Sequence, residues 1–213
     1  MTGRFIIISS PSGGGKGTLI KETRGVMPEL AYSVSFTTRP QRFGEEDGRE
    51  YHFVTRERFE ELIAAGEFLE FAEVHGNLYG TSISESKALL ESGKDVIVEV
   101  DVQGAIQIMT NGKMADESVS IFILPPSFEV LKARLTARGT EGEDELRTRL
   151  RNAFNEVLEY PKFKYVVVNE DVSASTRQIA SIIVAERQLL DRQSRAIKDI
   201  LDSFDAAKHQ YST

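Results

Sequence analysis

The chain has 213 residues, 40% hydrophobic and 28% charged, enough for one core with small appended parts. Its net charge of −7, from 26 basic and 33 acidic residues, argues against a nucleic-acid polymer as partner, because such binding needs a basic field. With no cysteine there is neither a disulfide nor a thiolate metal site, which suits the cytoplasm, and no apolar run approaches membrane-spanning length. Met1 to Phe5 leads straight into the first predicted strand, so no signal peptide is expected.

Phe5 to Ile8 is a short apolar run and reads as a buried strand. Gly13, Gly14 and Gly15 follow, then Lys16, then a helix from about Gly17 to Gly25. Strand, glycine turn and helix together form the context of a phosphate-binding loop. Glycines let consecutive N–H groups curl around an anion, and the helix start adds free N–H groups and the positive end of its dipole. Lys16 supplies a mobile charge for the outer phosphates. A plain glycine turn is the alternative, and the flanking strand, Lys16 and helix argue against it. Ser10 stands where the loop pattern has its first glycine, and Gly17 where it has a hydroxyl. Thr18 comes one place late and is expected to hold a metal-bound water or oxygen.

Tyr32 to Phe36 reads as a short strand, followed by a charged loop in which Arg39 and Arg42 suit a phosphate dianion. Tyr51 to Val54 reads as a strand, and Thr55 caps a helix through Ala65. Phe68 to Val74 alternates as a strand should, with Glu70 opposite Leu69 and Phe71. His75 to Thr81 reads as a turn. Residues 31–81 thus form a strand-rich excursion, either decorative or a second ligand site. Its Arg, Tyr, Thr and Glu content favours the site.

Ser82 or Ser84 starts a helix ending near Gly93. Asp95 to Asp101 reads as a strand with Glu99 and Asp101 on one face. Asp101, at a strand's carboxyl end, is placed to partner Mg²⁺ beside the phosphate loop. Ser120 to Leu124 is a further buried strand, and Ser127 caps a helix to about Ala137. Arg134 and Arg138 lie four apart on it, and the helix from Glu145 carries Arg147, Arg149 and Arg151. These arginines flank a Gly-containing turn, and the pair is either a lid closing on phosphates or a helical hairpin with charged faces. Tyr165 to Asn169 is the last strand, with Asn169 expected to bond a base or cap the next turn. Residues 175–207 read as helical. Their stripe of Ile197, Ile200, Leu201 and Phe204 is expected to pack on the core or on a second subunit, giving a homo-oligomer through the C-terminal helix. His52, His75 and His209 are scattered and read as structural rather than metal ligands.

Taken in order, these stretches resemble the guanylate kinase family of P-loop nucleoside monophosphate kinases. The likeness runs from Phe5 to about Arg187. Ser-Pro-Ser-Gly-Gly-Gly-Lys at 10–16 looks like the family's phosphate loop. Ser-Phe-Thr-Thr-Arg-Pro-Gln-Arg-Phe-Gly-Glu at 35–45, with Gly48 and Tyr51, looks like its GMP-phosphate segment. Glu70 with Gly-Asn-Leu-Tyr-Gly-Thr at 76–81 resembles its guanine-reading segment. Val-Asp-Val-Gln-Gly at 100–104, Ile-Leu-Pro-Pro-Ser at 123–127, Arg-Gly-Thr-Glu at 138–141 and Val-Asn-Glu-Asp at 168–171 complete the set.

The resemblance implies an α/β fold: a P-loop parallel sheet flanked by helices, with an inserted strand-rich NMP-binding region and a small helical lid. It implies a core of 1–34, 82–134 and 156–213, an insertion at 35–81 and a lid at about 135–155. It implies Mg²⁺-dependent transfer of the ATP γ-phosphoryl group to GMP or dGMP, giving ADP and GDP in purine nucleotide metabolism. Ser12, Gly13, Gly14, Gly15, Lys16, Gly17 and Thr18 would hold ATP, with Asn169 near adenine. Ser35, Glu70, Thr81 and Asp101 would read guanine and its surroundings, and Arg39, Arg42, Tyr51 and Tyr79 would hold the GMP phosphate. Lys16, Arg134, Arg138 and Arg149 would serve the transfer, with Thr18 and Asp101 toward the metal, directly or through water. A carboxylate accepts from guanine N1–H and the exocyclic amine, a donor pair that adenine lacks, so the site would select GMP over AMP. Two departures stand out. Gly17-Thr18 resembles the ending of adenylate kinase loops, and Glu99 stands where Asp is common. The rival readings are a kinase for another phosphorylated acceptor and a non-catalytic binding module.

Overall fold

A computed structural model describes residues 3–74, 76–110, 118–137 and 143–208. Strand β1 (Phe5–Ser9) is buried along its whole length and lies at the centre of a five-stranded parallel sheet. Its neighbours are β7 (Val96–Glu99) and β8 (Ser118–Leu124), with β2 (Ala31–Tyr32) and β9 (Tyr165–Val168) at the edges. A strand buried on both faces must be apolar at every position, which is why the pattern is continuous rather than alternating. Successive residues still go to opposite faces. Phe5 and Ile7 join Val96, Val98 and Phe122 in one core, while Ile6 and Ile8 join Ile97, Ile121 and Ile123 in the other.

Helices cover each face. Leu19 and Ile20 of α1 (Lys16–Val26) and Ile179 and Ile183 of α7 (Val172–Arg187) close the second core. Leu90 of α3 (Ile83–Glu91) and Val102, Ala105 and Ile108 of α4 (Val102–Thr110) close the first. The caps follow local chemistry. The Ser82 hydroxyl accepts the Glu85 N–H at 3.2 Å, and Asp171 accepts the Ala174 N–H at 2.7 Å. Helix α5 (Phe128–Ala137) packs Leu131 and Leu135 against Ala153 of α6 (Glu143–Glu156). A 3-10 turn, Val157–Lys162, leads from α6 toward β9.

The excursion builds a second sheet in the order β4 (His52–Phe53), β3 (Phe36–Thr37), β6 (Asn77–Ser82), β5 (Phe68–Val74). Its own small core is Phe59 of α2 (Arg56–Ala64), Phe68 and Leu78. The phenyl rings of Phe59 and Phe68 stack with centroids 4.6 Å apart over Gly80, where a Cβ would come within 3.0 Å of both.

Four sequence expectations change. The predicted turn at 75–81 is largely strand: residues 77–82 pair antiparallel with β5 on one side and, through Tyr79 and Gly80, with β3 on the other. Glycine and asparagine weaken strand propensity, but pairing on both edges overrides it. The single strand predicted at 32–36 is divided between the two sheets, because the chain leaves β2 and enters β3 there. The helical stretch predicted at 175–207 is two helices, α7 and α8 (Leu190–Lys208). On α8, Ile200, Leu201 and Phe204 are exposed, which removes packing on the core as the purpose of that stripe. Strict alternation fails in β5, where a bulge between Phe68 and Glu70 brings Glu70 to Gly104 of α4, on the side where Leu69 joins the first core, while Phe68 belongs to the excursion's own core.

Gly80→Ala should lower the urea midpoint by the equivalent of about 1–3 kcal/mol, since the added methyl must separate two stacked rings. An unchanged midpoint would show that the rings yield freely.

Candidate active site

The loop between β1 and α1 turns on Gly13 and Gly15, whose φ angles of 85° and 91° lie in the left-handed region that side chains avoid. Gly15 is also the N-cap of α1, so the helix opens directly beneath the loop. The Gly14 carbonyl meets two donor side chains from distant elements. It accepts from Asn169 Nδ2 at 2.9 Å and from Arg134 Nη1 at 3.4 Å, and Arg134 Nη2 also donates to the Asn169 carbonyl at 2.9 Å. Within the loop, the Gly14 N–H donates to the Pro11 carbonyl at 2.9 Å. On the other flank, the Ser12 N–H donates to Glu156 Oε2 at 3.0 Å. Lys16 Nζ donates to the Val100 carbonyl at 2.6 Å and stands 3.9 Å from Glu99 Oε1.

Asn169 is 2% exposed and its amide nitrogen donates to the loop, which it supports. Arg134 is likewise a loop support here. Arg149 is half-buried on α6, and Arg138 lies outside the described residues. His75 and His209 also lie outside them; His52 Nε2 is 3.3 Å from Glu85. Thr18 is exposed on the first turn of α1.

A second group of side chains gathers where β5, β6 and α4 meet. The bulge in β5 turns Glu70 into a buried position, where Oε1 accepts from the Thr81 hydroxyl at 2.6 Å. Asp101 caps α4, its Oδ1 accepting the Gly104 N–H at 2.7 Å. A Cβ at Gly104 would lie 2.7 Å from Glu70 Oε2 and 3.3 Å from Asp101 Oδ1, so the two carboxyls share one spot that only a glycine leaves open. Burial, reinforced by the Asp101 charge, lifts Glu70 to about 7, while the Thr81 hydroxyl and Lys16 pull the other way.

The third group lies on the excursion. Arg39 Nη2 donates to both oxygens of Glu45, at 2.9 and 3.0 Å, and its guanidinium lies over the rings of Tyr51 and Phe53 at 5.4 and 5.7 Å. The Glu45 carboxylate raises Arg39 and is itself held below its ordinary range by Arg39. Tyr51 and Tyr79 meet edge to face at 5.8 Å. Arg42 contributes its backbone N–H to Glu45 at 2.8 Å and keeps its side chain exposed. Ser35 is half-buried, its carbonyl accepting the His52 N–H at 2.9 Å.

Sequence reasoning missed three participants. Glu45 lies inside a quoted motif, and its pairing six residues from Arg39 was within reach of local reading. Glu156 meets Ser12 across 144 residues of chain, and no local signal announces that. Tyr32, whose hydroxyl donates to Glu99 Oε2 at 3.2 Å, is equally silent in sequence because the contact crosses two strands.

Comparison with known proteins places this fold in one family. The sequence model of one family, guanylate kinase, matches residues 2–186. The guanylate kinase of Clostridium tetani (strain Massachusetts / E88) is 46% identical over 209 residues, 98% of this chain and 97% of its own. That of Neisseria meningitidis serogroup A is 46% identical over 201 residues, 94% of this chain and 97% of its own. The crystal structure of guanylate kinase from Anaplasma phagocytophilum superposes with a TM-score of 0.74 at 34% identity, covering 92% of this chain and 93% of that one.

The Glu70 carboxyl carries a pH signature. The folded protein keeps this proton up to about pH 7, whereas the unfolded chain releases it near 4.5, so stability falls as pH rises between the two. Glu70→Gln has no charge to bury. It should stabilise the free protein by up to roughly 3 kcal/mol at pH 8 and by little at pH 4.5, read from urea midpoints. An equal shift at both pH values would rule out the buried proton.

Proposed function

The chain belongs to the guanylate kinase family, and from that footing we propose how its cleft carries out the family's reaction, phosphoryl transfer from ATP to GMP giving ADP and GDP. The observation that carries the reading is the pairing of a preorganised phosphate loop with a buried carboxyl, Glu70, close enough for Lys16 to act on its charge. Ser12 to Thr18 hold the ATP phosphates, with Lys16 swinging from the Val100 carbonyl to the outer phosphates. Glu70, Thr81, Asp101 and Ser35 read guanine, whose N1–H and amine donate to the Glu70 carboxylate. Arg39, Arg42, Tyr51 and Tyr79 hold the GMP phosphate, and Glu45 keeps Arg39 aimed until that phosphate arrives. Arg134, Arg138 and Arg149 serve the transferring group, Arg134 also through the loop it supports.

The acceptor oxygen of GMP is already anionic, so no strong base is required. The difficulty is repulsion between two anions. Lys16 and the arginines offset it, and they do so best once closure of the excursion (35–81) and the lid (about 135–155) over the core (1–34, 82–134 and 156–213) has excluded water.

Guanylate kinases generally use Mg–nucleotide, and the donor set fits: Mg²⁺ takes one or two protein oxygens beside the substrate phosphates, and Glu99 stands beside Lys16 with Asp101 two residues on. Thr18, Glu99 and Asp101 are the residues that would hold it, directly or through water. When bound, it neutralises charge on the β- and γ-phosphates and orients them. Among the described residues no helix is long and apolar enough to cross a membrane. We place the protein in the cytoplasm, acting on free nucleotides rather than nucleic acid, with the exposed stripe of α8 as the surface a second copy would cover.

With ATP and Mg²⁺, GMP should be the acceptor consumed when GMP, AMP, UMP and CMP are offered separately and ADP release is followed. Turnover with AMP would refute base reading by Glu70, and GMP binding without turnover would favour a binding module. Lys16→Met should lower kcat by on the order of 100-fold or more with the fold intact, measured by circular dichroism. Glu70→Gln should raise KM for GMP by on the order of 100-fold and leave KM for ATP nearly unchanged. Equal effects on the two substrates would remove Glu70 from guanine.

A further inference from the structure

Glycine at position 17 leaves the first turn of α1 without the side-chain oxygen that the usual phosphate-loop pattern places there. The backbone does not require this glycine, since it is absent from the residues with positive φ. The space at its Cβ is open except for one atom, Glu99 Oε1, which would lie 3.6 Å away. That oxygen comes from the end of β7 and is also the one 3.9 Å from Lys16 Nζ.

What holds the carboxylate there is Tyr32. In the parallel pairing of β2 with β7, Tyr32 lies opposite Ile97. Glu99, two residues beyond Ile97, leaves the strand on the same face, the face on which α1 packs. The Tyr32 ring packs into that core and carries the Arg24 guanidinium at 4.8 Å from its centroid. Its hydroxyl therefore reaches the sheet end in one orientation and donates to Glu99 Oε2 at 3.2 Å. An aspartate at 99 would be shorter by about 1.5 Å, one C–C bond, and would fall short of both Tyr32 and the space over Gly17.

We propose that Tyr32 is a positioning residue: it holds Glu99 so that Oε1 stands over Gly17, where it supplies, toward nucleotide-bound Mg²⁺, the oxygen that glycine cannot. This inference rests on the Mg–nucleotide reading above. It makes Gly17, Glu99 and Tyr32 one unit, in which a long carboxylate, braced by a phenol, replaces a short hydroxyl.

The test is calorimetric and needs no turnover. ADP affinity is measured with Mg²⁺ and with chelator for the unmodified protein, Tyr32→Phe, Glu99→Asp, the double variant, and Tyr32→Phe combined with Gly17→Ser. The metal-dependent gain in affinity should fall by on the order of tenfold in Tyr32→Phe, the scale on which residues that orient metal ligands act. Glu99→Asp should lose a similar factor, and the double variant no more than either, because the two residues act together. Gly17→Ser should restore the gain in the Tyr32→Phe background, which a merely structural tyrosine would not allow. An unchanged gain in Tyr32→Phe, a double variant losing the product of the two factors, or no restoration by serine would each overturn the proposal. No metal-dependent gain in the unmodified protein would instead overturn the Mg–nucleotide reading on which it stands.

Discussion

The cleft depends on a brace on the loop between β1 and α1, where the Gly14 carbonyl is tied to two side chains from distant elements. A loop that must present N–H groups to an anion has to put its carbonyls elsewhere, and a carbonyl that swung inward would repel the phosphate. Asn169 and Arg134 fix the Gly14 carbonyl. Both come from elements far from the loop in the chain, Asn169 at the end of β9 and Arg134 from α5. The sheet therefore does more than carry the loop. Its order, with β8 between β1 and β9, brings the prop to the glycines.

Charge is handled by pairing in the same way. The chain is acidic overall yet must bind two anions. Two of its cations rest on oxygen partners: Lys16 on a backbone carbonyl, Arg39 on Glu45. A guanidinium already aimed loses less freedom when the ligand arrives. The carboxyls are sorted by burial. Glu70 is deep enough to keep its proton to about pH 7. Glu99 and Glu156 sit at the loop's two flanks, where they order Lys16 and Ser12. Preorganisation of this kind is what phosphoryl transfer between two anions requires, because there is little other chemistry for the protein to perform.

Much of this was legible before folding, wherever local chemistry decides. The run Phe5 to Ile8, the glycines and Lys16 announce the loop, because the conformations at Gly13 and Gly15 admit little else. Thr55 and Ser127 were rightly read as helix caps, since a cap is an interaction over three residues. Reading failed where pairing between distant segments outweighs propensity. Residues 77–81 look like a turn and are strand because β3 and β5 flank them. Residues 32–36 look like one strand and are shared between two sheets.

Which groups exist, and which short motifs they make, is written in the chain: the phosphate loop, the paired Arg39 and Arg42, the acid on β5, and the family likeness that their order carries. Tertiary structure alone decided how those groups are used. The bulge that turns Glu70 inward, the meeting of Glu70 with Asp101 over Gly104, the Glu156 bond to Ser12 and the Tyr32 brace on Glu99 all join segments far apart in the chain. Local preferences act over a few residues. Contacts such as these exist only when the sheets bring their ends together, and the same assembly sets the burial that shifts Glu70.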